Sequence, residues 1–190
     1  MSSTPRNLFV ALLHDNMVDK RGTVVTTSLT LLDIHDIARS TRTFAVNRFF
    51  IQHSSPVLRQ LAGTLTQHWQ SGFGSTYNPD RKEALAGVEV VSSLQEIRQV
   101  LGRAFRDVSL VATSAKPGGE RTSFLRLRER LEAQPDTAFL LMLGTGWGMA
   151  PELLEEASIF LEPINGPCEY NHLSVRSACA IMLDRLRGVH

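Results

Sequence analysis

The sequence predicts an α/β fold: a mostly parallel sheet covered by helices on both faces. Three observations carry that expectation. Short, continuous apolar runs recur along the chain, as buried strands require. Helical segments alternate with those runs, the order that builds parallel sheets. The chain has 190 residues, 43% of them hydrophobic, which suits one compact domain with a substantial core, with or without a small extension.

Each element has its own local reason. Asn7 to Leu13, NLFVALL, is short, apolar and bounded by polar residues, so it reads as a buried strand. His14 to Gly22 is expected to be a polar loop, followed by the β-branched run VVTTSLTLL. Asp33 is the expected N-cap of a helix of about three turns that ends near Phe44. RFFIQH supplies a second strand. Ser54 or Ser55, with Pro56 behind it, opens a helix through Trp69. SGFGSTYNPD, where Asn78 and Asp80 flank a proline, is expected to be a loop. VEVV is a short strand, and Ser93 caps the helix LQEIRQVLGRAF. VSLVAT is a strand, SAKPGGERT a loop, and SFLRLRERL a helix. The strand AFLLML and the helix PELLEEA follow, with the glycine loop between them. IFLEPI is the last strand, NGPCEYNH a loop, and LSVRSACAIMLDRLRG a final amphipathic helix. No internal repeat or linker divides the chain, so residues 1–190 are expected to form one domain.

Composition narrows the function classes. Cys168 and Cys179 form no CxxC pair and have no histidine at ligand spacing, which argues against a disulfide or a metal site. No apolar run is long enough to span a bilayer and none resembles a signal peptide, so a cytoplasmic protein with no membrane partner is expected. The formal net charge of +1 says little, but its distribution says more. No Lys or Arg occurs between Arg130 and Arg176, whereas Glu152, Glu155, Glu156, Glu162 and Glu169 all lie there.

Parallel sheets bind ligands at the carboxyl ends of their strands. Three loops follow strands in this way: one near Thr113, one at Gly144 to Gly148, and one from Glu162 to His172. The middle loop, LGTGWGMAP, carries G-x-G-x-G. It lacks the dinucleotide fingerprint spacing and the Gly-Lys-Ser/Thr ending of a P-loop. A pyrophosphate can bind helix-terminal amides alone. An adenosine without phosphate fits these acid-rich surroundings better, and S-adenosylmethionine, whose sulfonium is positive, is such a ligand.

At this point the residues resemble a known family. LGTGWGM resembles the second motif, and LEPI with YNHLSVRSACAIML the third, of the SPOUT class of RNA methyltransferases. The segments ALLHDNMVDKRGTVVTTSLTLLDIHDIARSTRTF, HWQSGFGSTYNPDRKEAL and LVATSAK resemble one bacterial branch of that class, so the likeness covers nearly the whole chain. The resemblance implies a C-terminal deep trefoil knot, a homodimer through the knot region, and S-adenosylmethionine bound in a bent shape. Local patterns do not report threading, so the knot rests on the resemblance alone. Cofactor contacts in the class run largely through backbone groups. The matching positions are Thr113 and Ser114, then Leu143, Gly144, Thr145, Gly146, Trp147 and Gly148. Glu162, Pro163 and Ile164 match the next loop, and Asn171, His172, Leu173 and Ser174 the start of the last helix. Leu143, Ile164 and Leu173 are the apolar residues expected to sandwich adenine.

Methyl transfer needs an acceptor held in line with the methyl group, and a protic acceptor must lose its proton. DIHDIARSTRTF is the richest polar stretch near the N-terminus. On a helix Asp36, Arg39 and Arg42 fall at i, i+3 spacing and share one broad face. The stretch resembles the first motif of the ribose-methylating branch, whose arginine falls on Arg42 without gaps and on Arg39 with a short gap. Asp36 stands where that motif carries asparagine. Arginine is too basic to accept a proton, so Arg39 or Arg42 is expected to bind phosphate or orient the acceptor. Asp36 or His35 is the expected proton acceptor, with capping of the helix start as the competing role. Arg176 opens the last helix and either enters the site or pairs with Glu169 or Asp184. Lys116 and Arg121, beside a Gly-Gly pair in a loop able to close over substrate, are the expected RNA contacts. Trp69, Phe73 and Tyr77 either stack bases or pack in a core or dimer. The expected partner is tRNA or rRNA. A noncatalytic RNA-binding protein of the same fold and a dinucleotide oxidoreductase are the competing functions.

Overall fold

A computed structural model describes residues 6–116 and 118–189. The chain begins with β1 (Leu8–Leu13), then a small antiparallel hairpin of β2 (Met17–Val18) and β3 (Val24–Val25). Helix α1 (Leu31–Thr43) leads to β4 (Phe49–Gln52). Three helices follow, α2 (Pro56–Gln70), α3 (Phe73–Tyr77) and α4 (Pro79–Leu85), before β5 (Val88–Val91). The rest alternates: α5 (Leu94–Gly102), β6 (Asp107–Ala112), α6 (Phe124–Ala133), β7 (Thr137–Gly144), α7 (Pro151–Glu155), β8 (Ile159–Phe160) and α8 (Val175–Arg187). Six strands form one sheet in the order β5-β4-β1-β7-β6-β8, with every pairing parallel.

Strand residues alternate between two cores, because successive side chains leave opposite faces of a strand. Leu8, Val10 and Leu12 of β1 pack with Ile34 and Ile37 of α1, Leu127 of α6 and Leu183 of α8. Phe9, Ala11 and Leu13 pack with Ile97 of α5 and Leu153 of α7. Full burial of such a side chain is worth about 1.5–3 kcal/mol. The order of strands reverses between β1 and β7, and a ligand crevice opens at such a switch point on the carboxyl edge.

Several boundaries differ from the sequence reading. Met17 and Val18 leave the expected polar loop to form β2, and Met17 is fully buried. Helix α1 starts a turn earlier, with Thr30 rather than Asp33 at the N-cap. Asp33 instead lies buried in the first turn, where a distant cation meets it. The segment SGFGSTYNPD is mostly helical: Asn78 caps α4 by accepting from the Arg81 amide, and Pro79 takes the first turn. Strand β8 is only two residues long, and Leu161 beyond it still donates to Ala112 of β6 at 2.9 Å while bridging Thr122 on its other side. Ser174 caps α8, so that helix begins at Val175.

Candidate active site

The loops after β6, β7 and β8 lie side by side, since those strands are neighbours in the sheet. The Thr113 hydroxyl donates to the Met142 carbonyl at 2.8 Å and fixes the first loop against β7. Ser114 accepts from the Lys116 amide at 3.1 Å. The glycine loop leans on the β2–β3 hairpin: the Trp147 amide donates to Val18 at 3.1 Å, and Val18 donates to Gly148 at 2.9 Å. Thr145 donates through its hydroxyl to Leu13 at 3.0 Å. Gly146 has φ 61°, and a Cβ there would meet Thr27 Cγ2 at 3.1 Å. Its glycine is therefore favoured by the close approach of Thr27 and of the Val18 carbonyl as well as by the turn. Leu143 is buried and Gly144 seats against Met149.

The third loop is tied down at both ends. Glu162 accepts from the Phe124 amide at 2.8 Å, so its carboxylate caps α6. Asn171 donates to the Ala115 carbonyl at 3.3 Å, joining this loop to the one after β6. Pro163 and Ile164 are half-buried, His172 packs edge-on against Tyr170, and Leu173 is exposed. Among the described residues no protein acceptor meets the amides of Ile164 to Gly166 or Cys168 to Leu173. A run of free backbone donors beside exposed Leu173 and half-buried Ile164 is the donor set that an adenosine held by backbone groups requires. The residues present thus fit S-adenosylmethionine.

Where this loop enters α8, it meets α1. Arg176 donates to Asp33 at 2.8 Å and lies 3.3 Å from Asp36. The Asp33 side chain is only 10% exposed. Asp36, Arg39 and Arg176, with Ser177, line a groove of about 440 Å³ between the two helices. Arg39 has no ion pair among the described residues, so its guanidinium is free to meet a ligand. Arg176 pairs with these two carboxylates rather than with Glu169 or Asp184.

The structure separates the other sequence candidates from this groove. Arg42 pairs with Glu83 and lines a different cavity of about 580 Å³ with Arg6, Asn47 and Gly87. His35 packs edge-on to Trp69, and burial, followed by the nearby Arg81 charge, lowers its pKa. Arg121 donates to the Gly118 and Lys116 carbonyls and so holds its own loop, whereas the Lys116 side chain is exposed.

A second polar cluster escaped the sequence reading. His14 and His53, at the ends of β1 and β4, stack with ring centroids 5.4 Å apart. Thr27 joins them, its hydroxyl 3.1 Å from His14 Nδ1 and its carbonyl 3.1 Å from His53 Nε2. Thr27 also contacts the Thr145 hydroxyl, which links the cluster to the glycine loop. Burial, then the neighbouring His53 charge, lowers the His14 pKa to about 4. Hydrogen bonds from Ser54, Gln52 and Thr26 hold the Asp15 carboxyl below its usual range against the opposing effect of burial. The signal for this cluster was the polar pair following each apolar run, HD after β1 and QH at the end of β4.

Comparison with known proteins identifies the relatives of this chain. A family described as SAM-dependent RNA methyltransferase matches residues 7–188. A protein of Nitratidesulfovibrio vulgaris named tRNA (guanine-N(1)-)-methyltransferase is 43% identical over 184 residues, 96% of this chain and 42% of that protein. The chain thus spans well under half the length of that relative. An uncharacterised protein of Aquifex aeolicus is 36% identical over 181 residues, 95% of this chain and 88% of its own length. Among solved structures, a probable methyltransferase from Bordetella pertussis shares the fold at TM-score 0.62 and 14% identity, covering 95% of this chain and 92% of that one. A TrmH/SpoU tRNA modifying enzyme from A. aeolicus does so at TM-score 0.57 and 17% identity, covering 96% and 74%. The parallel sheet is therefore the sheet of the TrmH/SpoU enzymes, and the chain belongs to the family of SAM-dependent RNA methyltransferases.

Proposed function

We propose that residues 1–190 act as one domain that transfers a methyl group from S-adenosylmethionine to a nucleotide of tRNA or rRNA, as a cytoplasmic homodimer. The observation that carries this reading is the junction at Arg176. The loop of free backbone amides runs directly into α8, and the first turn of α8 binds the polar face of α1. Loop residues Ile164 and Leu173 and the amides of 168–173 would hold the cofactor. When bound, it supplies an electrophilic methyl group. Arg176 orients Asp36, and Asp36 takes the proton that the acceptor sheds. Arg39 holds the phosphate or the acceptor's carbonyl oxygen. A carboxylate is a weak base, so a base nitrogen with an acidic proton fits it better than a ribose hydroxyl. The name of the N. vulgaris relative is in keeping with a ring nitrogen. The likeness of the α1 segment to a ribose-methylating motif supports the other acceptor. The knot and its dimer contact rest on the same family likeness.

Isothermal titration with S-adenosylmethionine tests the cofactor. Wild type should bind in the micromolar range, and Gly146→Trp should abolish binding while the melting curve still reports a folded protein. Transfer of a labelled methyl group to bulk tRNA or rRNA, followed by nucleoside analysis, then identifies the acceptor. A folded wild type that binds RNA but no cofactor would favour a noncatalytic RNA-binding protein instead.

A further inference from the structure

We propose that the β2–β3 hairpin and Trp147 form one platform that grips an unpaired stretch of RNA beside the cofactor loops. This rests on the RNA methyltransferase reading and adds where the substrate is held. Trp147 is 60% exposed, although so large an apolar side chain is mostly covered in folded proteins. It stands between two left-handed glycines, Gly146 at φ 61° and Gly148 at φ 109°. The backbone there is locked by the rung to Val18 and by the seating of Gly146 against Thr27. A rigidly presented aromatic loses little freedom on binding, which favours a stacking role.

Two residues beyond Val18 the hairpin turns at Lys20 and Arg21, both exposed. The turn is fixed, because the Asp19 carboxylate accepts from the Arg21 and Thr23 amides at 2.8 and 2.9 Å. Asp19 is committed to the backbone, and among the described residues neither Lys20 nor Arg21 has an ion pair. Lys116, on the loop over the neighbouring β6, is exposed and without an ion pair among the described residues. Cations thus stand on both sides of the loop that carries an exposed indole. Single-stranded nucleic acid matches that arrangement: a splayed base stacks on the aromatic, and its flanking phosphates meet the cations.

Fluorescence anisotropy with a labelled oligouridine of about twelve nucleotides, at several salt concentrations and with S-adenosylhomocysteine present, tests the platform. The double variant Lys20→Ala, Arg21→Ala should bind the RNA about tenfold more weakly, with a salt slope reduced by about 1.4. Its affinity for S-adenosylhomocysteine, measured by calorimetry, should equal that of wild type. Trp147→Ala should weaken RNA binding by about tenfold with the salt slope unchanged, and Trp147→Phe should restore most of it. Wild-type RNA affinity in the double variant would overturn the platform. So would a Trp147→Ala protein that loses the cofactor and keeps the RNA. A folded wild type that binds neither ligand would overturn the methyltransferase reading itself, and the platform with it.

Discussion

Asp33 and Arg176 stand 143 residues apart in sequence and meet at 2.8 Å. Burial makes the carboxylate depend on that partner, since a charge taken from water is costly when unpaired. Arg176 is about a third exposed, so the full buried-pair value is reduced. Arg176→Met should destabilise the protein by about 1–3 kcal/mol in urea unfolding, and Asp33→Asn in the Arg176→Met background should recover part of that loss. Additive effects in this double-mutant cycle would show that the pair contributes no coupling. His14 gives a pH prediction. Its folded pKa is about 4, below the 6.5 of an ordinary histidine, so the unfolded chain binds the proton first as pH falls. The stabilisation is complete above about pH 6.5 and is lost between there and about pH 4, in total about 3 kcal/mol. Urea midpoints from pH 7.5 to 4.5 should fall less steeply in His14→Gln than in wild type. Residue chemistry was partly legible beforehand. Asp36, Arg39 and Arg176 could be picked out as polar groups at helical spacing or at a helix start. The Asp33 partner could not, because an ion pair across 143 residues leaves no local pattern.

At the scale of elements, the glycine loop owes its conformation to more than its own residues. A glycine-rich turn was legible from the spacing of Gly144, Gly146 and Gly148, of which the last two are left-handed and Gly144 still belongs to β7. The close packing of Gly146 on Thr27 was not legible, because Thr27 lies in the β-branched run VVTTSLTLL, more than a hundred residues away in sequence, and no local pattern links the two. Gly146→Ala should therefore cost more than left-handed strain alone, because its Cβ also meets Thr27 Cγ2 at 3.1 Å. Left-handed alanine costs about 1 kcal/mol at φ 61°, and the Thr27 contact adds to it. Thermal melts of Gly146→Ala alone and in the Thr27→Ser background, which removes that methyl, provide the comparison, and equal losses relative to each parent would refute the packing argument. The helices at 73–85 were missed for a related reason. Asn78-Pro79 signals a helix start as readily as a turn, and the choice depends on burial of Ala84 and Leu85 against the rest of the fold.

For the whole molecule, the order of strands and helices was enough to foresee a parallel sheet with two cores, because only crossover helices can join parallel neighbours. Strand order was not foreseeable, since it depends on which apolar edges meet. The homodimer expected from the family likeness has a direct check: sedimentation equilibrium should return about twice the chain mass of 21.1 kDa, and a monomer at micromolar concentration would remove it. The position of β1 also has a consequence for biosynthesis. Its partners are β4, at residues 49–52, and β7, at residues 137–144. A nascent chain emerging at about 5–20 residues per second would therefore carry β1 with one edge unmated for roughly ten seconds. During that interval LFVALL is an open apolar template, so the ribosome-bound chain is the stage at which this protein most needs a chaperone.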